Sequence, residues 1–293
     1  MKTLSERGTV QRLLSEAAPL LERASLLTAR QDAEWLLAHL LGVERWELYM
    51  EPARPVPSEA REQFAELLAR RRRGEPLQHL LGWEEFYGIK LRVTPQALIP
   101  RPETELLVEW ALEILRGSSG LERRRLVIDL GTGSGAIACA LACSFPPISV
   151  VGVDISAGAL AVARQNVRAL EVDGQVKLVQ GDLFGPLGRV EADLAVANPP
   201  YIASDKLDAL PVEVRDFEPR QALDGGPDGI ALHRRIIAEA GQYLRPGGWL
   251  LMEAGEGQPE ALAGALAETG LFDAVEIRKD LQGRDRMVGA RRR

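Results

Sequence analysis

Two rhythms of apolar positions divide the chain. Through the first quarter, apolar residues recur every three or four positions, the spacing of helices with one buried face. This pattern covers "VQRLLSEAAPLLERA", "RQDAEWLLAHLLGV" and "PSEAREQFAELLARRRRG". The last stretch opens at Ser58 as a cap candidate and closes at Gly74. Residues 1–75 therefore read as a small helical bundle. Residues 76–103 are rich in glycine and proline and contain the strand-like "IKLRV", which predicts a connector with a β-hairpin. At Thr104 the helical spacing returns in "TELLVEWALEILRG".

From about Arg125 the rhythm changes to short apolar runs separated by helical stretches. The runs are "RLVIDL", "ISVVGVDIS", "QVKLVQGD", "ADLAVANPP" and "GWLLMEAG", with "DAVEIRKD" and "RMVGARR" as a closing pair. Alternation of this kind predicts an α/β domain over 104–293, with a mostly parallel sheet of seven strands covered by helices on both faces. In such sheets ligands bind at the carboxyl ends of the strands.

Composition narrows the setting. A length of 293 residues suits about two domains, and 46% apolar residues suffices for globular cores. Cys139 and Cys143 cannot form a disulfide framework and read as small core residues of one helix. The charged N-terminus lacks the apolar core of a signal peptide, and no run approaches membrane-spanning length. The expectation is a cytoplasmic protein with no membrane partner. A net charge of −6 argues against stable binding of long nucleic acid. Residues 1–80 are balanced, with 12 basic and 12 acidic side chains. The run Arg70 to Arg73 reads as a solvated helix end, with a partner-binding patch as the alternative. His39, His79 and His233 are scattered, so no metal site is expected.

The first strand runs into "VIDLGTGSGAIA", with glycines at 131, 133 and 135. Glycine permits positive φ and close approach of a ligand to the backbone. The third glycine comes one residue too early for the pyrophosphate fingerprint G-x-G-x-x-G. Asp129 precedes the loop, where a negative charge suits an ammonium group better than a phosphate. Asp154 ends the second strand near the distance expected of a carboxylate that holds ribose hydroxyls. S-adenosylmethionine matches all three features. Simpler readings stand beside this one. The glycines serve any tight strand-to-helix turn, and Asp154 sits near a helix start, although Ser156 is the better placed cap. Asp182 and Leu183 follow the third strand, where an adenine would lie; otherwise they are a turn acid and a core residue.

The fourth strand stops at Asn198-Pro199-Pro200-Tyr201. Prolines donate no backbone hydrogen bond, and the residue before each is held extended. Asn198 and Pro199 thus present fixed oxygen acceptors at the sheet's carboxyl edge. Two such acceptors suit a flat NH2 group: the Asn198 side chain takes one N–H and the Pro199 carbonyl the other. Tyr201 packs on the planar face or holds the loop. A conjugated nitrogen is a weak nucleophile, and positioning it against an electrophilic methyl group lowers the barrier by up to roughly 7–11 kcal/mol in ideal cases. Carboxamides and adenine both carry such a nitrogen, so an adenine-N6 methyltransferase acting on DNA or RNA remains the alternative.

"DLGTGSGAIA", "VDIS" and "NPPYI" resemble the class I S-adenosylmethionine-dependent methyltransferases. With "GEPLQHLLGWEEFYG", "LIPRPETE" and "FEPRQALDGGPDG", they resemble the protein-(glutamine-N5) methyltransferases of peptide chain release factors. The resemblance implies a Rossmann-like sheet preceded by a helical substrate-recognition domain. It implies transfer of a methyl group to the glutamine of the Gly-Gly-Gln loop in class 1 release factors, leaving S-adenosyl-L-homocysteine. The implied cofactor residues are Asp129, Gly131, Thr132, Gly133, Ser134, Gly135, Asp154, Ile155, Asp182, Leu183 and Asn198. The implied substrate residues are Asn198, Pro199, Pro200 and Tyr201. Nothing in the sequence demands more than a monomer, which is the expectation. Arg101 and Glu103 either meet the substrate and cofactor entrance or pair within the fold.

Overall fold

The computed structural model describes residues 8–22, 28–117 and 124–293. The charged N-terminal stretch and the last two residues of the first expected helix lie outside these. The chain forms two compact units. One comprises Met1–Trp83 with Pro211–Phe217, the other Glu84–Leu210 with Glu218–Arg293. Residues 76–83, placed by sequence in the connector, cluster with the helices, as does an excursion from the α/β unit. Among the described residues no helix is long and apolar enough to cross a membrane.

The first unit contains α1 (Val10–Glu22), α2 (Ala29–Leu41), α3 (Glu47–Met50), α4 (Ser58–Arg71) and α5 (Leu77–Leu81). Their apolar faces bury Leu13, Leu36, Leu37, Phe64 and Leu68 together. Gly42 ends α2 at φ +64°, the left-handed cap that glycine adopts without steric cost. Ser58 does not cap α4: Pro57 holds the cap position with extended backbone, and Ser58 is already helical. The arginine run is also not uniformly solvated. Arg71 is buried, donates from Nε to Asp32 Oδ2 at 2.7 Å, and reaches Glu213 Oε1 at 2.7 Å. Arg70 pairs with Glu75 at 2.6 Å, so Arg72 and Arg73 are the exposed members.

In the second unit, β1 (Trp83–Phe86) and β2 (Ile89–Arg92) form the expected hairpin. Its turn residues Tyr87 and Gly88 both have positive φ, as a tight two-residue turn requires. Then come α6 (Pro102–Gly117), β3 (Arg125–Leu130), α7 (Ala136–Ser144), β4 (Ile148–Asp154), α8 (Ala157–Ala169), β5 (Val176–Gln180) and β6 (Ala192–Ala197). The short α9 (Val212–Arg215) belongs to the helical unit, and α10 (Ala231–Ala240), β7 (Leu244–Glu253), α11 (Pro259–Glu268), β8 (Phe272–Lys279) and β9 (Asp285–Arg292) complete the chain. The seven-stranded sheet has the order β5-β4-β3-β6-β7-β9-β8. Its first five strands are parallel and the β7–β9–β8 edge is antiparallel.

Successive side chains of a strand point to opposite faces, and here both faces are covered. Val127 packs with Trp110, Leu112 and Leu141 on one side; Ile128 packs with Ile236, Leu250 and Leu262 on the other. Every residue of β6 is buried, which is why its sequence reads as an unbroken apolar run. Cys139 joins this core, but Cys143, expected there too, is exposed. Strand order reverses between β3 and β6, so the topological switch point lies between their carboxyl ends. Leu130 and Ala197 are paired in register there, which sets Gly131 beside Asn198.

Candidate active site

A cavity of about 290 Å³ opens over this switch point. The glycine loop forms its floor. Gly131 and Gly133 have φ of +68° and +58°, and both line the cavity. A Cβ on Gly131 would meet no atom within 4 Å, and one on Gly133 only the Gly131 carbonyl at 3.9 Å. Both positions thus leave open space beside the loop that a side chain would occupy. Gly135 has a different task. It does not line the cavity, and its Cβ would lie 3.2 Å from the Ala163 Cβ, so it lets α7 pack closely on α8. Thr132 and Ser134 complete the wall.

Asp154 faces the loop from β4. Its Oδ2 accepts from the Gly133 N–H and its Oδ1 from the Ser156 N–H, each at 2.8 Å. Burial raises its pKa while these backbone donors pull it down. Ser156, not Asp154, caps α8, its hydroxyl accepting from the Ala159 N–H. A carboxylate has about four lone-pair directions, so with a third backbone donor from Ile155 the Asp154 carboxylate keeps about one for a further donor. Ile155 is half exposed and lines the same cavity.

Asp129, expected opposite a cation, is not on the cavity wall. It lies fully buried beneath the loop, and its Oδ2 accepts from the Thr132 hydroxyl at 2.5 Å. Burial pushes its pKa up to about 7, against the lowering effect of Thr132 and the Ala138 N–H. Its partner Thr132 does line the cavity. Asp182 and Leu183 both reach the cavity. Asp182 is held at 2.8 Å by Arg235, another lining residue. Leu183 sits at φ +48°, where a non-glycine residue costs roughly 1–2 kcal/mol. Such conformations persist where surrounding structure enforces them.

Asn198, Pro199 and Pro200 line the side opposite Asp154, as β6 ends. The Asn198 amide donates from Nδ2 to Thr104 Oγ1 at 3.0 Å, and that hydroxyl donates to Glu253 Oε2 at 2.7 Å. Burial raises the Glu253 pKa, while the Thr104 hydrogen bond and Arg286 draw it down. Tyr201 stands off the cavity wall. Its ring lies 5.5 Å from the Arg286 guanidinium and its carbonyl accepts from Gln258 Nε2 at 2.9 Å, so it holds the loop. Burial pushes its phenol up to about 12.

The segment "LDGGPDG" clamps this loop from behind. Ile202 donates to the Leu223 carbonyl and accepts from the Gly225 N–H. A Cβ on Gly225 would fall 2.7 Å from the Pro200 carbonyl oxygen, and one on Gly229 would fall 2.5 Å from that of Tyr201. Arg101 pairs within the fold, with buried Glu218 at 2.5 Å, while also lining the cavity. Glu103 is half buried and does not line it. Sequence reasoning missed Thr104, Glu253 and Arg235. Glu253 closes an apolar strand at the sheet's carboxyl edge, the same signal that marked Asp154.

Comparisons with known proteins agree with this architecture. The PrmC N-terminal domain family model matches residues 12–82, and the methyltransferase small domain model matches residues 104–213. The chain is 44% identical to the release factor glutamine methyltransferase of Geobacter sulfurreducens, over 98% of each chain. It is 43% identical to that of Nitratidesulfovibrio vulgaris, over 98% of this chain and 97% of the relative. A structure of the hMettl16 catalytic domain with MAT2A 3'UTR hairpin 1 aligns with a TM-score of 0.58 at 15% identity, over 87% of this chain and 90% of the other. That likeness extends to the fold alone. With relatives this similar over nearly their whole length, the chain belongs to the release factor glutamine methyltransferase family.

Proposed function

We propose that the chain transfers a methyl group from S-adenosylmethionine to the side-chain amide nitrogen of the glutamine in the Gly-Gly-Gln loop of class 1 release factors. The observation that carries this reading is the pairing of two features across one switch point. A glycine loop with open ligand space faces a carboxamide whose NH2 is already bound within the fold.

The residues present fit the cofactor. Gly131 and Gly133 leave room that any Cβ would fill, and Asp154 retains acceptor capacity for ribose hydroxyls. Asp182, Leu183 and Ile155 form the adenine end, with Arg235 steadying Asp182. When bound, S-adenosylmethionine supplies an electrophilic methyl group and departs as S-adenosyl-L-homocysteine. Asn198 Oδ1 accepts one N–H of the glutamine amide and the Pro199 carbonyl accepts the other. This fixes the direction of a nitrogen whose lone pair is delocalised into the carbonyl. Tyr201, protonated over the working pH range, serves the loop and not as a base. The alkylated nitrogen is strongly acidic and gives its proton to water, so no dedicated base is required. The helical unit holds the body of the release factor, and the enzyme works as a monomer in the cytoplasm without stable nucleic-acid binding.

Incubation with labelled cofactor and purified release factor tests this. The expected result is one methyl group on the Gly-Gly-Gln glutamine, located by mass spectrometry. Label only in DNA or RNA would replace this reading with adenine methylation, whose planar NH2 the same acceptors would hold.

A further inference from the structure

We infer that Glu253, acting through the Thr104 hydroxyl, sets which way the Asn198 carboxamide faces. Both are then positioning residues for the methyl acceptor. The inference rests on the proposed role of Asn198.

Three elements converge on one short chain of donors. Asn198 follows β6, Glu253 ends the neighbouring β7 one residue beyond the registered pair Ala197–Met252, and Thr104 lies in the first turn of α6. Glu253 is fully buried, with its Oε2 2.7 Å from the Thr104 oxygen, and Asn198 Nδ2 is 3.0 Å from that same oxygen. His233 Nε2–H donates to the Glu253 carbonyl at 2.8 Å and pins this end of the strand.

The direction of the chain follows from counting protons in the ionised form of Glu253, which the Thr104 hydrogen bond and Arg286 favour against burial. That carboxylate can only accept, and a hydroxyl has a single hydrogen to give. Once the Thr104 hydrogen is committed to Glu253, its oxygen can only accept. Asn198 can then meet it only with the NH2 end of its amide. The Asn198 oxygen is thereby turned to the cavity side, where an NH2 substrate needs an acceptor. With the amide reversed, two acceptors would face each other at Thr104, or Thr104 would have to turn its hydrogen away from Glu253 Oε2. Either arrangement leaves a buried polar group unmatched, which is costly. The distant carboxylate thus excludes the orientation that would present a donor to the substrate's own donors.

The test uses Glu253→Gln, Thr104→Val and Thr104→Ser in the full chain. In Glu253→Gln the new carboxamide can either donate or accept, so it no longer fixes the direction; Thr104→Val keeps the shape of threonine without the hydroxyl. For methylation of release factor, kcat should fall about tenfold in Glu253→Gln and Thr104→Val, the factor one net hydrogen bond is worth. Cofactor affinity should stay within about twofold, and Thr104→Ser should retain near-native kcat. Melting temperature, measured alongside, separates lost folding from lost positioning. A second readout needs no substrate: the side-chain NH2 resonance of Asn198 in nitrogen–proton NMR, assigned by its loss in Asn198→Asp. It should be unchanged in Thr104→Ser and shifted in the other two variants. Native kcat in Thr104→Val and Glu253→Gln, an Asn198 signal unmoved in both, or a Thr104→Ser as impaired as Thr104→Val, would overturn the inference. A wild-type enzyme that leaves release factor unmethylated while its Asn198 signal responds as described would refute the functional reading and leave the positioning chain standing.

Discussion

Replacing Asp154 by asparagine changes one atom and isolates one role. The carboxylate oxygens take backbone N–H groups from Gly133 and Ser156 at 2.8 Å and a further one from Ile155, which leaves about one acceptor direction for a ribose hydroxyl. In Asp154→Asn the new NH2 faces a backbone N–H on whichever side it lies, so one internal bond is lost. The remaining oxygen keeps a single ribose contact without the charge. A hydrogen bond to a charged group contributes roughly 1.5–3 kcal/mol. At 1.4 kcal/mol per factor of ten, cofactor affinity should fall about 10- to 150-fold. The fold should lose much less, because burial already raises the Asp154 pKa and so disfavours its charge in the folded chain. Calorimetric titration with S-adenosylmethionine and with S-adenosyl-L-homocysteine measures the effect. Both should weaken by the same factor, since both carry the same ribose. Unchanged affinity, or weakening of only one of the two, would refute the assignment.

The glycines separate in the same way. Gly131→Ala and Gly135→Ala both place alanine at positive φ, at roughly 1–2 kcal/mol each. Gly131→Ala should mainly weaken cofactor binding, while Gly135→Ala, crowded by Ala163, should mainly lower the melting temperature with affinity near native. Asn198→Ala should reduce turnover far more than cofactor affinity, read from single-turnover rates and titration; equal losses would contradict its role on the acceptor. Asp129 predicts a pH effect on the free chain. Its carboxyl titrates near 7 when folded and near 3.8 when not, so the folded state holds the extra proton between these values. Stability contributed by that proton is present in acid and is lost as pH rises from about 4 to about 7, by up to about 1.4 kcal/mol per unit. Asp129→Asn should flatten that slope in denaturant midpoints measured at pH 5 and pH 7.

The parts legible in sequence are those whose cause is local. β6 announced itself as an apolar run because all its residues are buried, and Asn198-Pro199-Pro200 as its end because proline cannot continue a ladder. The positive-φ glycines were visible for the same reason. What escaped depended on residues far apart in the chain. Thr104 and Glu253 meet across 149 positions, and nothing near either one reports the other. Arg71 looked like its exposed neighbours, but its helical phase points it at Asp32. The burial of Asp129 was equally hidden: its position before the loop reports nothing of the Thr132 hydroxyl that its Oδ2 accepts from in the core. Pro211–Phe217 joins the helical unit although the sequence on either side of it belongs to the α/β unit.

The glycines behind Pro200 and Tyr201 also bear on how this enzyme can be redesigned. At 225 and 229 even a methyl group would collide with main-chain oxygens that have no way to retreat. A saturation library should therefore return almost no functional variants at these two sites. Attempts to admit a bulkier acceptor start instead at Pro219 or Gln221, which also line the cavity.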